Sequence, residues 1–183
     1  DLTKKVVLAS SSDSRRELLS RLLLEFRCFA PGIDETPRRG ESPLALARRL
    51  ARRKGRSAMR IFPDHIIISS DQVCFCGEEI YGKPGNPQRA KAQLLQFQGK
   101  KVTFLTSLYV LDSKSKKCSL DIIETTVLFR KLHEQVLERY IAAEEPYECA
   151  GSFKAEGAGI MLFEAIRSTD PTALLGLPLI ALT

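Results

Sequence analysis

Three stretches of the sequence carry residues whose types and spacing could do chemistry. The first, Leu8-Ala9-Ser10-Ser11-Ser12-Asp13-Ser14-Arg15-Arg16, passes from an apolar segment through a polar loop into a leucine-bearing helical pattern. Free backbone N–H groups and the helix dipole at such a junction attract anions. Serine hydroxyls of the loop and the guanidinium groups of Arg15 and Arg16 would complete a phosphate cradle, since arginine suits bidentate contact. A capped surface helix with solvated arginines fits the same residues, and spacing leaves both readings open. The loop matches neither the Walker A pattern nor the dinucleotide fingerprint.

The second stretch is a basic helix pattern opening at Pro43. Its apolar stripe runs Ala47, Leu50, Ala51, Ala58 and Ile61, and Lys54 falls on that stripe at i+7 from Ala47 and i+4 from Leu50. A lysine on an inner face either meets a buried anion or snorkels out to water. The third is Ile66-Ile67-Ile68-Ser69-Ser70-Asp71-Gln72, which places Asp71 at the expected end of a buried strand, where α/β proteins favour ligands. A carboxylate there can act as a base or hold a divalent cation. Glu35, in a separate loop, could supply a second oxygen ligand, since Mg²⁺ and Mn²⁺ prefer carboxylates, water and substrate phosphates. Lys83, fixed between Gly82 and Pro84, reads as a phosphate ligand or an ordinary loop lysine. Lys154 and Glu156, in the glycine-rich segment 151–159, could read a base edge or face water.

Elements able to position these groups are visible in the patterning. Val6–Ala9 reads as a buried strand, and 15–24 as a helix with Leu18, Leu19, Leu22 and Leu23 on one stripe. Ser14 and Glu17 have capping-box spacing, which starts that helix at Ser14. A short strand is expected over 27–30, a loop over 31–42, and a long helix from Pro43 to about Arg60. Strand 65–69, a rigid loop at 82–87 and helix 88–96 follow. Long β segments are expected over 101–111 and 120–129, then helix 133–144 with His133 at its start and a mixed tail. Cys74 and Cys76 share one face of a β segment and read as packing. Strand–helix alternation with paired long strands predicts an α/β protein with a mixed sheet. No linker, repeat or low-complexity tract divides the 183 residues, so one domain is expected over 1–183.

Composition limits the function further. The chain is 44% hydrophobic and 27% charged, with apolar residues throughout, which excludes a disordered chain. No apolar run approaches the roughly 20 residues of a membrane-spanning helix. Asp1-Leu2-Thr3-Lys4-Lys5 shows no secretory pattern, and residues beyond Thr183 are expected because the sequence stops just after an apolar run. Five scattered cysteines argue against a disulfide scaffold or zinc site and for a reducing cytoplasm. With only His65 and His133, a catalyst built on several histidines is excluded. The net charge of +6 is local: residues 38–60 hold nine bases and one acid, Glu41, while the remainder has 19 bases and 21 acids. That segment fits either an anionic partner or a solvated helix face.

Taken together these segments resemble the Maf family of nucleoside triphosphate pyrophosphatases, and within it the YceF-type branch, which prefers 7-methyl-GTP. The resemblance runs from Leu8 to Leu182. It is carried by Leu8-Ala9-Ser10 with Arg15-Arg16-Glu17-Leu18-Leu19, Asp34-Glu35-Thr36-Pro37, Ser70-Asp71-Gln72-Val73, Gly82-Lys83-Pro84, Cys149-Ala150-Gly151-Ser152-Phe153-Lys154 and Leu175-Gly176-Leu177-Pro178-Leu179. It implies an elongated α/β fold, ITPase-like, with helices flanking a mixed sheet and an active-site cleft between two lobes, often as a homodimer. It also implies cleavage between the α and β phosphates with a divalent cation, Mg²⁺ or Mn²⁺. Carried over residue by residue, Asp71 is the proton acceptor and, with Glu35, a metal ligand. Ser10, Arg15, Arg16, Lys54 and Lys83 become phosphate ligands, and Ser14, Gln72 and Glu156 become positions linked to the choice of base.

Three departures matter. The branch pattern after Leu-Ala-Ser usually reads Thr-Ser-Pro-Trp-Arg-Arg; here Asp13 replaces the proline and Ser14 the tryptophan, and Ser70 stands where glycine is common. Losing the indole removes a stacking surface for a cationic base, a contact worth about 0.5–2 kcal/mol. Asp13 puts a negative charge beside the expected phosphate cradle. Two other readings compete. A nucleic-acid module would use the basic helix, against which stand 7% aromatics and no tryptophan. A septum-linked interaction protein would treat Asp13 and Ser14 as marks of lost catalysis.

Overall fold

The residues that must be brought together lie far apart in the chain, and a seven-stranded mixed sheet joins the segments that bear them. The structure, a computed structural model, describes residues 4–183; residues 1–3 of the expected signal-free N-terminus lie outside the described residues. The elements in order are β1 (Lys5–Ala9), α1 (Asp13–Ser20), β2 (Phe26–Phe29), α2 (Pro43–Met59), β3 (His65–Cys76), β4 (Glu79–Tyr81), α3 (Pro87–Phe97), β5 (Lys101–Asp112), β6 (Cys118–Phe129), α4 (Glu134–Glu144), β7 (Phe163–Ser168) and α5 (Leu179–Leu182). The sheet order is β2-β1-β3-β5-β6-β7, with β4 paired to β3 off that path. The chain forms two compact units: unit 1 comprises 1–72, 106–123 and 170–183, and unit 2 comprises 73–105 and 124–169.

In unit 1, β1 lies parallel to both β2 and β3, with Leu8 opposite Cys28 on one side and Ile68 on the other. The strand alternation divides the core. Val7 and Ala9 pack with Ile67, Tyr109, Leu111 and the α2 residues Ala51 and Ala58. Leu8, one step out of phase, packs with Ile68, Leu108, Leu18 and Leu19 of α1, and Leu177 and Leu179. The chain passes from β1 through α1 to β2 and returns through α2 past β1 to β3, so the two connections run in opposite directions along the sheet, and α1 and α2 pack on opposite faces. The carboxyl end of β1, beside the middle of β3, then sits at the switch point where α/β sheets open.

In unit 2, β3 turns back into β4 with Cys74 opposite Tyr81, through Gly77 at φ 61°. β6 and β7 are antiparallel, with a bulge at Leu128/Phe129. The core is aromatic: Phe129 lies 5.1 Å from Phe97 and from Phe163, and Phe153 lies 4.9 Å from Phe163 and 5.0 Å from Phe104.

Several expected boundaries move. α1 starts at Asp13, because the Ser12 hydroxyl, not Ser14, accepts from Arg15 N. It stops at Ser20, whose hydroxyl bonds back to the Glu17 carbonyl, so Leu23 is 94% exposed instead of lying on the stripe. Ile61, past the end of α2, is likewise exposed. β3 does not end before Asp71 but continues to Cys76. Asp71 does lie beyond the last residue of β1, since the parallel pairing aligns Leu8 with Ile68 and β1 stops at Ala9. The tail adds β7, an unexpected strand whose residues after Phe163 are all exposed and leave no alternation to read.

Candidate active site

The helix α2 brings Lys54 to Asp71. Ser42 caps the helix by accepting from Ala45 N, with Pro43 at its first position. The apolar stripe then turns Lys54 inward, where it is only 6% exposed. Its Nζ donates to Asp71 Oδ1 at 2.6 Å and pairs with Glu35 Oε1 at 2.9 Å. Close approach depends on Gly55: a Cβ there would stand 2.6 Å from the buried Tyr109 ring and 2.8 Å from Ser69 Oγ. Of the two readings of Lys54, the buried anion partner is the one observed.

Asp71 is 5% exposed. Ser107 fixes its backbone on both sides, the hydroxyl accepting from Asp71 N and lying 3.1 Å from Asp71 O. Burial pushes its carboxyl above the ordinary carboxylate range; Lys54 first and Arg15 second pull it back, while Glu35 adds to the rise. Glu35 reaches the same ammonium from the loop 31–42, and its side chain is half exposed. That loop is tied to α2: Arg49 holds Glu41 through two nitrogens, at 2.6 and 2.8 Å, and also donates to the Thr36 carbonyl, while Arg53 donates to the Asp34 carbonyl. Part of the basic segment therefore fixes this loop; Arg48, Arg52, Arg56 and Arg60 remain exposed.

Arg15, half-buried on α1, donates through Nε to the Gly176 carbonyl at 2.7 Å. Burial draws its guanidinium below the usual value, opposed by Asp71 and then Glu35; the group remains cationic. Ser10, buried after the end of β1, accepts from Ser12 N. Two carboxylates and two cations thus surround one point, with a hydroxyl at the adjoining strand end. Such a group can bind phosphates and deprotonate a water. The donor set of Glu35 and Asp71, two carboxylates sharing one ammonium, suits a hard divalent cation whose shell substrate phosphates and water would complete. Among the described residues no cluster of three His, Cys, Asp or Glu side chains forms a metal cage.

Residues 5–183 match the family model described as Maf-like protein. The chain belongs to the Maf family. A 7-methyl-GTP pyrophosphatase of Pseudomonas fluorescens is 52% identical over 177 residues, 97% of this chain and 92% of that relative. One of Cupriavidus metallidurans is 47% identical over 183 residues, covering 100% and 92%. The Ham1 protein of Staphylococcus aureus, a solved structure, has a TM-score of 0.49 at 13% identity, over 69% of this chain and 72% of that one.

In this Maf chain the residues singled out in the sequence divide between the units. Unit 1 holds Ser10, Ser14, Arg15, Arg16, Glu35, Lys54, Asp71 and Gln72; unit 2 holds Lys83 and Glu156. Arg16 is exposed and forms an ion pair with Asp13 at 2.6 Å, so the acid that departs from the branch pattern engages an expected phosphate ligand directly. Gln72 Nε2 lies 3.0–3.1 Å from Thr106 Oγ1 and the Ala173 and Leu174 carbonyls, leaving its carbonyl oxygen as the group not engaged by those bonds. Lys83 pairs with Glu148 at 3.3 Å, both side chains well exposed. Glu156 is exposed. Lys154 donates to the Glu144 carbonyl at the end of α4, a favourable place for a cation. His133 occupies the N-cap of α4 without a side-chain cap bond, and all five cysteines are unpaired.

Gly55, Ser107 and Gly176 were not legible as functional positions. The glycine inside an otherwise strong helix pattern, where it costs about 1 kcal/mol against alanine, was the one available signal for Gly55.

Proposed function

We propose that this chain hydrolyses 7-methyl-GTP to 7-methyl-GMP and diphosphate, as a hydrolase acting on acid anhydrides. The observation that carries the chemistry is Asp71, buried and raised in pKa, with Lys54 on its carboxylate and Arg15 acting on it electrostatically. Support for the base comes from relatives about 50% identical over nearly the whole chain that are named 7-methyl-GTP pyrophosphatases.

Asp71 accepts the proton of the water that attacks the α-phosphorus; a carboxyl held above its ordinary range is the better base near neutral pH. Lys54 and Arg15 offset the negative charge that grows on the departing diphosphate. Ser10, Arg16 and Lys83 add phosphate contacts, and Ser14, Gln72 and Glu156 bear on the base. Glu35 and Asp71 would hold a divalent cation, Mg²⁺ or Mn²⁺, which supplies charge neutralisation on the phosphates and a lowered pKa for bound water. A homodimer in the cytoplasm completes the reading. The unpaired cysteines suit that compartment.

The test is product analysis with Mg²⁺ or Mn²⁺ across 7-methyl-GTP, the four common ribonucleotides and dTTP. Monophosphate and diphosphate should form fastest from 7-methyl-GTP, and Asp71→Asn should cut turnover by about 10²–10⁴ with the fold intact. Preference for another base would keep the chemistry and assign the change to Ser14, which stands where the branch carries tryptophan. No diphosphate from any nucleotide would overturn the reading.

A further inference from the structure

The stretch Leu175–Leu179 carries part of the family resemblance, yet nothing in the reaction has called on it. Gly176 sits in it at φ +112°, a left-handed conformation that side chains rarely adopt, and a Cβ there would stand 3.4 Å from Arg15 Nε. The Gly176 carbonyl accepts from Arg15 Nε at 2.7 Å and from the fully buried Ser70 hydroxyl at 2.8 Å.

The turn that presents this carbonyl is itself held on every side. Asp170, 1% exposed, accepts at Oδ1 from Thr172 N and at Oδ2 from Ile180 N, at 3.0 and 2.7 Å. The Thr172 hydroxyl lies between Asp170 Oδ1 and the Leu177 carbonyl and accepts from Leu179 N. Thr106 donates to the Ala173 carbonyl at 2.9 Å, alongside the Gln72 amide.

We propose that the 170–179 turn is the positioning element for Arg15, acting through the Gly176 carbonyl. A guanidinium has one donor on Nε and four on its terminal nitrogens. Binding the Nε edge to a fixed carbonyl stops rotation of a long side chain and leaves the terminal nitrogens for two oxygens of a phosphate. Ser70, where the branch commonly has glycine, is a second donor that fixes the same carbonyl. Gly176 and Ser70 are positioning residues; neither touches the reacting atoms. The inference rests on the proposed pyrophosphatase reading and adds what sets Arg15 in place.

A double-mutant cycle on the full chain tests it, using Gly176→Ala and Ser70→Ala, each alone and combined with Arg15→Ala. Gly176→Ala should lower kcat/KM by about 10–100-fold and Ser70→Ala by about 3–10-fold, with thermal midpoints confirming folding. In the Arg15→Ala background each should cost less than about twofold. Equal losses in both backgrounds, or full activity in both single variants, would overturn the proposal. If Gly176→Ala does not fold, Ser70→Ala carries the cycle. The same cycle is read as affinity for inorganic diphosphate by calorimetry, so a wild-type chain without turnover overturns the pyrophosphatase reading while binding still decides the role of the turn.

Discussion

The two units differ in whether any of their charge is buried. Unit 1 has surface pairs such as Arg16–Asp13, but it also takes one set of charged groups out of water and fixes them: Lys54 and Asp71 are each nearly buried, Arg49 grips Glu41 with two nitrogens, and Asp170 is closed inside its turn. In unit 2 the ion pairs lie at the surface: Lys83 with Glu148, and Lys91 with Glu134 and Glu138. Its interior is a set of edge-to-face aromatic rings. A charge held in low dielectric acts strongly on a neighbour, but needs every partner in place. A solvated pair contributes little, because water replaces either partner at small cost. The base and its cations are therefore expected in unit 1, while Lys83, paired at the surface, can exchange its partner at small cost.

The largest effect expected from breaking this contrast is at Lys54. Lys54→Met leaves Asp71 buried with its main opposing cation gone, and removing one partner of a buried pair costs about 3–5 kcal/mol. Urea unfolding at pH 7 should show that loss. Asp71 would then rise further, so the variant should recover stability relative to wild type as the pH is lowered and the carboxyl is neutralised. Lys83→Met, the counterpart in unit 2, should change stability by less than about 1 kcal/mol. Equal losses for the two would erase the distinction between the units.

A smaller loss is expected at Gly55, which lets α2 approach Tyr109 and Ser69. Gly55→Val overpacks that contact, at about 1–3 kcal/mol, and pushes the neighbouring Lys54 from Asp71. Activity should fall together with the thermal midpoint. Normal activity with a lowered midpoint would mean that the helix shifts without moving its lysine.

These same residues show what the sequence could reveal. Lys54 was legible because a 3.6-residue period places a side chain on a face without knowledge of the partner, and Ser42-Pro43 marked where that period begins. The cores of β1 and β3 were legible as short continuous apolar runs, because both faces of these strands are covered. The start of α1 was not, because Ser12 and Ser14 are both competent caps and only the geometry chooses between them. Ser107 beside Asp71, and Gly176 beside Arg15, are 36 and 161 residues from their partners; local pattern holds no record of such pairings. The candidate site was thus readable where a residue acts through its own element and hidden where backbone carbonyls and distant hydroxyls support it.

The smallest effect sharpens the contrast at the edge of unit 1. Arg49 holds the Glu41 carboxyl down from 4.5 to about 2, chiefly as a hydrogen-bond donor. A carboxyl whose pKa is lower in the folded chain than in the unfolded one stabilises above the unfolded value and loses that contribution as the pH falls. The Glu41 contribution is therefore complete above about pH 4.5 and fades toward pH 2. Glu41→Gln should lower the thermal midpoint at pH 7 by the equivalent of no more than about 1 kcal/mol and flatten the acid limb of the stability curve. It should also loosen the loop that carries Glu35, raising KM without a matching fall in kcat. Glu148→Gln, which removes the exposed partner of Lys83, should leave both the midpoint and the acid limb nearly as they are. If instead the two variants titrate alike, the Arg49 grip stabilises no more than a solvated pair, and the fixed character of unit 1 is confined to the buried group around Asp71.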